Sequence, residues 1–143
     1  LPRLYERHAQ GRNLTLVHGD AHLGNFLVPG ATEATSTYVA DWQFWHATIG
    51  GTDLAFLMAT EWDPALRRLL EGTLVQRYHR TLAANGIASY GWHECWDDYR
   101  LSVILVSIFV PVWRWSTFGW EVDIETLERS VTAFDELRCG DLL

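Results

Sequence analysis

The residues best suited to chemistry lie between positions 18 and 41. Asp20 follows a short apolar run, Leu14–Val17, and Asn25 comes five residues later. A second acid, Asp41, directly follows another run of strand type, Thr37–Ala40. Side chains at the ends of short strands are held firmly, which suits a reactive site. The spacing therefore predicts one site that contains these three polar side chains.

Two carboxylates and one amide carbonyl meet the needs of phosphoryl transfer. The attacking hydroxyl needs an acceptor for its proton, and a carboxylate on a rigid loop supplies one. The phosphate donor needs Mg²⁺, a hard cation that prefers oxygen ligands and keeps several waters. Kinases combine a loop Asp as base, a loop Asn on one metal ion and a further Asp on the metals. The trio Asp20, Asn25 and Asp41 thus favours a phosphotransferase.

Other interpretations of the same stretch stay open at this point. Asp20 is also the kind of residue that caps a turn, and Asn25 tolerates the left-handed backbone of a turn. His18 and His22 have the spacing of two zinc ligands on one helix. Gly19 and the strand-like run before it argue against a helix, and the motif has no glutamate. We therefore expect no zinc here.

The rest of the chain shows short strand-like runs followed by helical patterns. A first helix is expected to end near Gln10, and the run Phe26–Val28 stops at a Pro-Gly turn. Four later helices are predicted, at about Thr52–Glu61, from Pro64 to the Asn85-Gly86 stop, at about Trp92–Val110, and from Asp123. A small β element followed by four helices gives an α+β fold that is mainly α.

Apolar spacing predicts which faces of two helices are buried. The second of the four should turn inward the residues Leu66, Leu69, Leu70, Leu74, Tyr78 and Leu82. The last should turn inward the residues Ile124, Leu127, Val131 and Phe134. Both sets recur at the spacings of three and four that define one helix face.

The motifs together resemble those of the aminoglycoside phosphotransferase and choline kinase superfamily. His18-Gly19-Asp20-x-His22-x-x-Asn25 is similar to its catalytic loop, and Asp41-Trp42-Gln43 to its metal-binding motif. Gly50 through Asp53-Leu54-Ala55 is similar to its Gly…Asp-Leu-Ala segment. The ecdysteroid-kinase-like branch is the most similar one, on these motifs and on Tyr78-His79, Cys95…Tyr99-Arg100 and the ending Ala133–Leu137.

The resemblance implies a fold, a reaction and the roles of four residues. Residues 1–143 would form the C-terminal, catalytic lobe of a protein-kinase-like fold. The reaction would be ATP-dependent phosphorylation of a small-molecule hydroxyl, with Asp20 as catalytic base. Asn25 and Asp41 would bind Mg²⁺, and Leu27 would form the floor of the adenine pocket.

Three further residues would support the catalytic loop, by the same resemblance. His18 and His22 would brace the loop, and Asp53, at the start of a helix, would accept hydrogen bonds from its backbone. The superfamily's N-terminal lobe carries a phosphate-covering loop and a lysine, whereas all 11 basic residues here are arginine. We therefore expect the chain to need an N-terminal lobe from the same gene or from another chain.

Composition excludes several other classes of protein. The net charge of −7 argues against binding to nucleic acid or to an anionic membrane. Without lysine a P-loop NTPase is excluded. The uncharged run between Arg100 and Arg114 is too short to span a bilayer. Cys95 and Cys139 lack CxxC spacing, which favours free thiols in the cytoplasm.

Some features had a functional and a structural interpretation. The aromatic segments around Trp42–Trp45 and Trp113–Trp120 favour core packing over substrate contact. The acidic cluster of Glu94, Asp97 and Asp98 favours a solvated helix face over attraction of a cationic substrate. For the whole chain, the alternative to an enzyme is a non-catalytic remnant of a kinase lobe that acts as a binding or interaction module.

Overall fold

The structure, a computed structural model, describes residues 2–30, 36–118 and 124–143. Its helices are α1 Pro2–Gln10, α2 Thr52–Ala55, α3 Pro64–Ala84, α4 Trp92–Phe118 and α5 Ile124–Glu136. Its strands are β1 Leu14–Val17, β2 Phe26–Leu27, β3 Tyr38–Val39 and β4 His46–Ile49. Short 3₁₀ turns cover Leu23–Asn25, Trp42–Phe44 and Cys139–Leu142, and a π-helix covers Phe56–Glu61. The prediction of an α+β fold that is mainly α is confirmed.

The strand that sequence patterns missed is β4. It pairs with β1 in antiparallel register, with Leu14 opposite Ile49 and Val17 opposite His46. Val17 and Ile49 are buried at opposite ends of this ladder, and Ile49 belongs to the hydrophobic core. The ladder fixes where β1 ends, and the catalytic-loop motif starts at that end.

The hydrophobic core forms around α4. Its fully buried side chains include Tyr99 and Val103 of α4, Met58 of the π-helix, Val75 of α3 and Ala133 of α5. The helix does not stop at Val110 as predicted but continues through Pro111 to Phe118. A proline inside a helix costs about 3 kcal/mol. Pro111 and the preceding Val110 are both buried, so the helix is packed against the rest of the chain where the proline occurs. No helix of the described part of the chain has both the length and the apolar character to cross a membrane.

Helix α3 begins and ends where the sequence predicted. The Asp63 carboxylate accepts a hydrogen bond from the backbone of Ala65 at 2.8 Å, which caps the helix. At the other end the chain leaves the helix at Asn85, and Gly86 takes a left-handed backbone with φ 95°.

The buried face of α3 agrees with the predicted one only in part, since Leu74, Tyr78 and Leu82 pack against the core. Leu66 and Leu69 are exposed, whereas an ion pair, Arg67 with Glu71, is buried. Arg67 also pairs with a glutamate of α5, and Glu71 accepts a hydrogen bond from Tyr99 at 2.7 Å. Buried charges are tolerated only when they are paired in this way. Apolar periodicity cannot detect an inward-facing ion pair, and the prediction for Leu66 and Leu69 was therefore wrong.

Helix α5 also turns a different face inward. The predicted inward residues Ile124, Leu127 and Val131 are exposed, whereas Phe134 packs against the core. The buried residues are instead the small ones, Thr126, Ser130 and Ala133. Small side chains let the backbones of α4 and α5 approach, and the Ser107 hydroxyl donates to the carbonyl of Ser130 at 3.3 Å. The predicted start of this helix at Asp123 lies outside the described residues.

The predicted helix Thr52–Glu61 changes geometry within its length. Regular α-helix ends at Ala55 and a π-helix follows, in which the Thr60 hydroxyl donates to the Phe56 carbonyl at 2.6 Å. Single-turn π segments are rare and occur frequently at functional sites. Here the wider turn places Phe56 beside the loop that carries Asp20.

Candidate active site

The loop from His18 to Asn25 begins with a close backbone approach. Gly19 has φ 80°, a left-handed conformation that favours glycine. A Cβ added there would collide with the Phe44 carbonyl oxygen and come within 3.0 Å of the His46 ring. The Nδ1 atom of His46 lies 2.9 Å from the same Phe44 carbonyl oxygen. Only glycine allows the loop to lie against this segment.

The carboxylate of Asp53 binds the backbone at the start of the loop. Its two oxygens accept hydrogen bonds from the backbone amides of His18 at 2.7 Å and Gly19 at 3.0 Å. Asp53 lies in the first turn of α2, so the loop is tied directly to a helix that packs on α4. Hydrogen bonds to a charged acceptor are stronger than neutral ones, and this pair therefore fixes two consecutive peptide units.

The ring of His18 joins the loop to the segment that carries Asp41. Its Nδ1 accepts from the backbone amide of Asp20 at 3.3 Å, which leaves Nε2 to donate to the Ala40 carbonyl at 2.7 Å. The ring is 3% exposed and packs edge-on against Trp42 at 4.8 Å. The two hydrogen bonds fix the tautomer and the orientation of the ring. They also set the distance between Asp20 and the residue before Asp41.

Asn25 is buried beside Asp20, and its side-chain amide nitrogen contacts two oxygens of Asp20. The Nδ2 atom donates to the Asp20 backbone oxygen at 2.9 Å and approaches the Asp20 carboxylate at 3.4 Å. The Asn25 backbone oxygen accepts from Ala40 at 2.9 Å, which extends the β2–β3 ladder by one pair. None of the described residues donates to the side-chain oxygen Oδ1. That oxygen is therefore available as a ligand.

Asp41 takes a left-handed backbone, with φ 61° and ψ 61°. For a residue with a Cβ this conformation costs roughly 1–2 kcal/mol and persists only where neighbouring contacts fix it. The contacts of Ala40 with His18 and Asn25 provide that restraint. The Asp41 side chain is exposed, and its Oδ2 lies 3.4 Å from the Gln43 amide nitrogen. Strained residues of this kind cluster at functional sites.

His22 and Leu27 lie at the edges of the site. His22 Nδ1 accepts from the Gly24 amide at 3.1 Å, and its Nε2 lies 3.7 Å from the Asp20 carboxylate. Leu27 on β2 is 58% exposed, and its partner Tyr38 on β3 is exposed as well. An open apolar surface of this kind can take a flat ring, which is the role expected for Leu27.

The donor set fits Mg²⁺ better than a metal held by protein ligands alone. In the described ranges no three His, Cys, Asp or Glu side chains converge as a metal cage would require. Asp41 offers one carboxylate and Asn25 one amide oxygen, both oxygen donors. Mg²⁺ commonly uses one or two protein ligands and completes its shell with water and phosphate oxygens. The residues present are therefore compatible with it.

An aromatic cleft opens beside Asp20. The sequence patterns did not predict this cleft. It measures about 40 Å³ and is lined by the side chains of Phe44, Phe56, Phe109, Val110 and Trp113. Phe109 and Trp113 are four residues apart on α4, and this spacing was the available signal. Phe44 meets Trp113 edge-on with ring centres 6.2 Å apart. Core packing was thus the wrong expectation for Trp113.

Other aromatic residues of those two segments are exposed rather than packed. Trp42, Trp45 and Trp115 are each at least 46% exposed. The core expectation was therefore wrong for them as well. Besides its edge-on contact with His18, Trp42 donates a hydrogen bond from its Nε1 to the Val39 carbonyl at 2.8 Å.

The acidic cluster of α4 is only partly a solvated face, since the Asp97 side chain is half exposed whereas Glu94 and Asp98 pair with Arg7. Asp98 is fully buried and accepts from Arg7 and Tyr90, each at 2.8 Å. Burial raises the pKa of Asp98. Burial also acts to raise the pKa of Glu94, but hydrogen bonding and charge from Arg7 lower it overall. These pairs fasten α1 to α4.

The comparison with protein families finds a match over the part of the chain that contains the candidate site. A family model described as the ecdysteroid kinase-like family matches residues 2–87, more than half of the chain. The matched range contains Asp20, Asn25, Asp41 and Asp53. No curated protein and no solved structure shows significant similarity to this chain. The chain belongs to the ecdysteroid kinase-like family.

Proposed function

We propose that this chain carries the base and the metal ligands of an ATP-dependent phosphotransferase that acts on a hydroxyl of a small molecule. Family membership supports the kinase-like class. The observation that carries the proposal is the hydrogen-bonded connection through His18 and Ala40, which brings the loop of Asp20 and Asn25 against the segment of Asp41.

Asp20 acts as the acceptor for the hydroxyl proton. Its backbone amide and carbonyl are engaged by His18 and Asn25, so the carboxylate is the part of the residue left for the substrate. The residue is 9% exposed and borders the aromatic cleft, through which a hydroxyl can reach it. A positioned base of this kind contributes about 10²–10⁴-fold to rate.

Asn25 and Asp41 hold the metal. Asn25 offers its side-chain oxygen, whose orientation is set because the nitrogen of the same amide is engaged by Asp20. Asp41 offers an exposed carboxylate on a restrained backbone. When bound, Mg²⁺ neutralises charge on the transferring phosphoryl group. His22 and Asp53 keep the loop in shape, and Leu27 offers an apolar surface to the adenine ring.

Nucleotide binding is shared with a second lobe. Kinases hold the α- and β-phosphates with a lysine, and this chain has none. We propose that an N-terminal lobe from the same gene or from another chain supplies those contacts. We also propose a cytoplasmic location, which the free thiols of Cys95 and Cys139 support.

A transfer assay on the complete protein tests the proposal. Labelled phosphate should pass from ATP to a panel of small alcohols in the presence of Mg²⁺ and not after chelation. Asp20→Asn should reduce the transfer by roughly 10²–10⁴-fold, whereas Asp63→Asn, which changes only the cap of α3, should not reduce it. If the protein binds partners but Asp20→Asn and wild type are equally inactive with every alcohol, the non-catalytic binding module is the better description.

A further inference from the structure

The cleft beside Asp20 is lined by one charged side chain and otherwise by apolar side chains. Among the described side chains that line it, only Asp20 is charged, and the others are Phe44, Phe56, Phe109, Val110 and Trp113. An acceptor with a second charge or with several hydroxyls would lose hydration there without gaining hydrogen bonds. An anionic acceptor would in addition be repelled by Asp20. The lining therefore disfavours a second charge or further hydroxyls on the part of the acceptor that enters the cleft.

The size of the cleft limits how much of the acceptor is enclosed. Its 40 Å³ correspond to space for a few water molecules, since one water needs at least about 10–15 Å³ by this measure. Such a space takes a hydroxymethyl group and the nearest carbons. Phe109 and Phe44 line the cleft and are 60% and 46% exposed, so each presents ring surface at its rim.

We propose that the acceptor is an uncharged primary alcohol on a compact apolar body, such as one aromatic ring, which enters the cleft hydroxyl first. This deepens the proposed function and rests on it for the role of Asp20. Inside the cleft the hydroxyl donates its hydrogen bond to the Asp20 carboxylate. The ring lies between the two rim aromatics, which prefer offset or edge-on contacts.

Fluorine NMR of ligands tests the proposal without any turnover. The probe is 4-fluorobenzyl alcohol, and the comparators are 4-fluorobenzoate and a fluorinated hexose, each titrated into the complete protein. The alcohol should saturate its binding site at a concentration at least tenfold below the concentrations that the two comparators need. Tighter or equal binding of the hexose or the benzoate would overturn the proposal.

Variants locate the binding. Phe109→Ala and Trp113→Ala should each lower the affinity for the alcohol at least fivefold. Trp115→Ala removes an exposed ring from the same helix outside the cleft and should leave the affinity unchanged. Circular dichroism confirms that each variant is folded, and Phe109 is exposed enough for its replacement to be tolerated. Equal affinities in Phe109→Ala, Trp115→Ala and wild type would overturn the proposal.

The result separates this inference from the proposed function. An alcohol that binds in the cleft but is never phosphorylated contradicts the phosphotransferase and leaves the pocket in place. Phosphorylation of the hexose without binding of the alcohol contradicts the pocket and leaves the phosphotransferase in place.

Discussion

The Nε2 atom of His18 lies 2.7 Å from the carbonyl oxygen of Ala40, and this contact connects the two halves of the candidate site. On one side the Nδ1 atom of His18 accepts a hydrogen bond from the backbone amide of Asp20. On the other, Ala40 directly precedes Asp41 and donates to the backbone of Asn25. A single buried ring thus fixes the relative position of the proposed base and the proposed metal ligand.

Replacing His18 should affect catalysis more than stability. His18→Phe keeps an aromatic ring but removes the hydrogen bonds to the Ala40 carbonyl and from the Asp20 amide, each worth about 1 kcal/mol of unfolding free energy. His79→Phe is a control that loses one such bond, because His79 Nε2 makes the same kind of contact with the Tyr90 carbonyl at 2.8 Å. Urea denaturation should show a loss for both variants, with the larger one in His18→Phe. Turnover and magnesium affinity should fall only in His18→Phe, and equal effects in both would refute the positioning role.

Gly19 should tolerate alanine far less well than Gly11. Both glycines have a left-handed backbone, with φ 80° and 61°. An added Cβ meets nothing within 4 Å at Gly11, whereas at Gly19 it collides with the Phe44 carbonyl. Gly11→Ala should therefore cost only the backbone strain, roughly 1–2 kcal/mol. Chemical denaturation should find a clearly larger loss for Gly19→Ala, and similar losses for the two would show that the close approach is not a constraint.

The two thiols should be unreactive in the folded protein. Burial raises the pKa of Cys95 and of Cys139 from 9.0 to about 11. Each unit of pKa changes the thiolate fraction about tenfold, so a thiol reagent at pH 8 should react roughly a hundredfold more slowly than with the denatured chain. Counting of thiols with and without denaturant measures this. Fast labelling of the native protein would contradict the burial of both residues.

The same thiols should make stability depend on alkaline pH. Their pKa is higher in the folded state than in the unfolded state, so the folded state retains its protons longer. Unfolding then releases protons, and the unfolding free energy should decrease as the pH rises from about 9 to about 11. Burial also raises the pKa of Tyr78, to about 12, which acts in the same direction. Replacement of both cysteines by alanine should flatten this part of the profile.

Local signals in the sequence were enough for several elements. Asp63 before Pro64 predicted the start of α3, and Asn85-Gly86 predicted its end, because caps depend on neighbouring residues only. The runs that became β1, β2 and β3 were also predicted as strands. The positions of Asp20, Asn25 and Asp41 follow from these strands, since each lies within three residues of the end or the start of one of them.

Other features depend on contacts that are distant in sequence. β4 is four residues long and pairs with β1 more than 25 residues earlier, so its own pattern carries little information. Arg67 faces inward because partners on α3 and α5 satisfy its charge, and no local rule reveals them. The aromatic cleft joins Phe44 to Trp113, which come together only in the folded chain.

Asp41→Ala should weaken nucleotide binding and abolish turnover together. The Asp41 carboxylate is the proposed metal ligand, and without it the phosphate charge is no longer neutralised through the metal. Calorimetric titration of the complete protein with Mg·ATP measures the affinity, and titration with metal-free ATP provides the control. An unchanged affinity for Mg·ATP in Asp41→Ala would remove Asp41 from the metal site.

Turnover of Asp20→Asn, measured together with its affinity for Mg·ATP, tests the phosphotransferase proposal most directly. Asn is nearly isosteric with Asp but cannot accept the hydroxyl proton, so turnover should fall by roughly 10²–10⁴-fold. The affinity for Mg·ATP should stay close to that of wild type, since Asp20 faces the aromatic cleft. Asp63→Asn should leave both quantities unchanged. Near-normal turnover of Asp20→Asn on an accepted alcohol would contradict the assignment of Asp20 as the base.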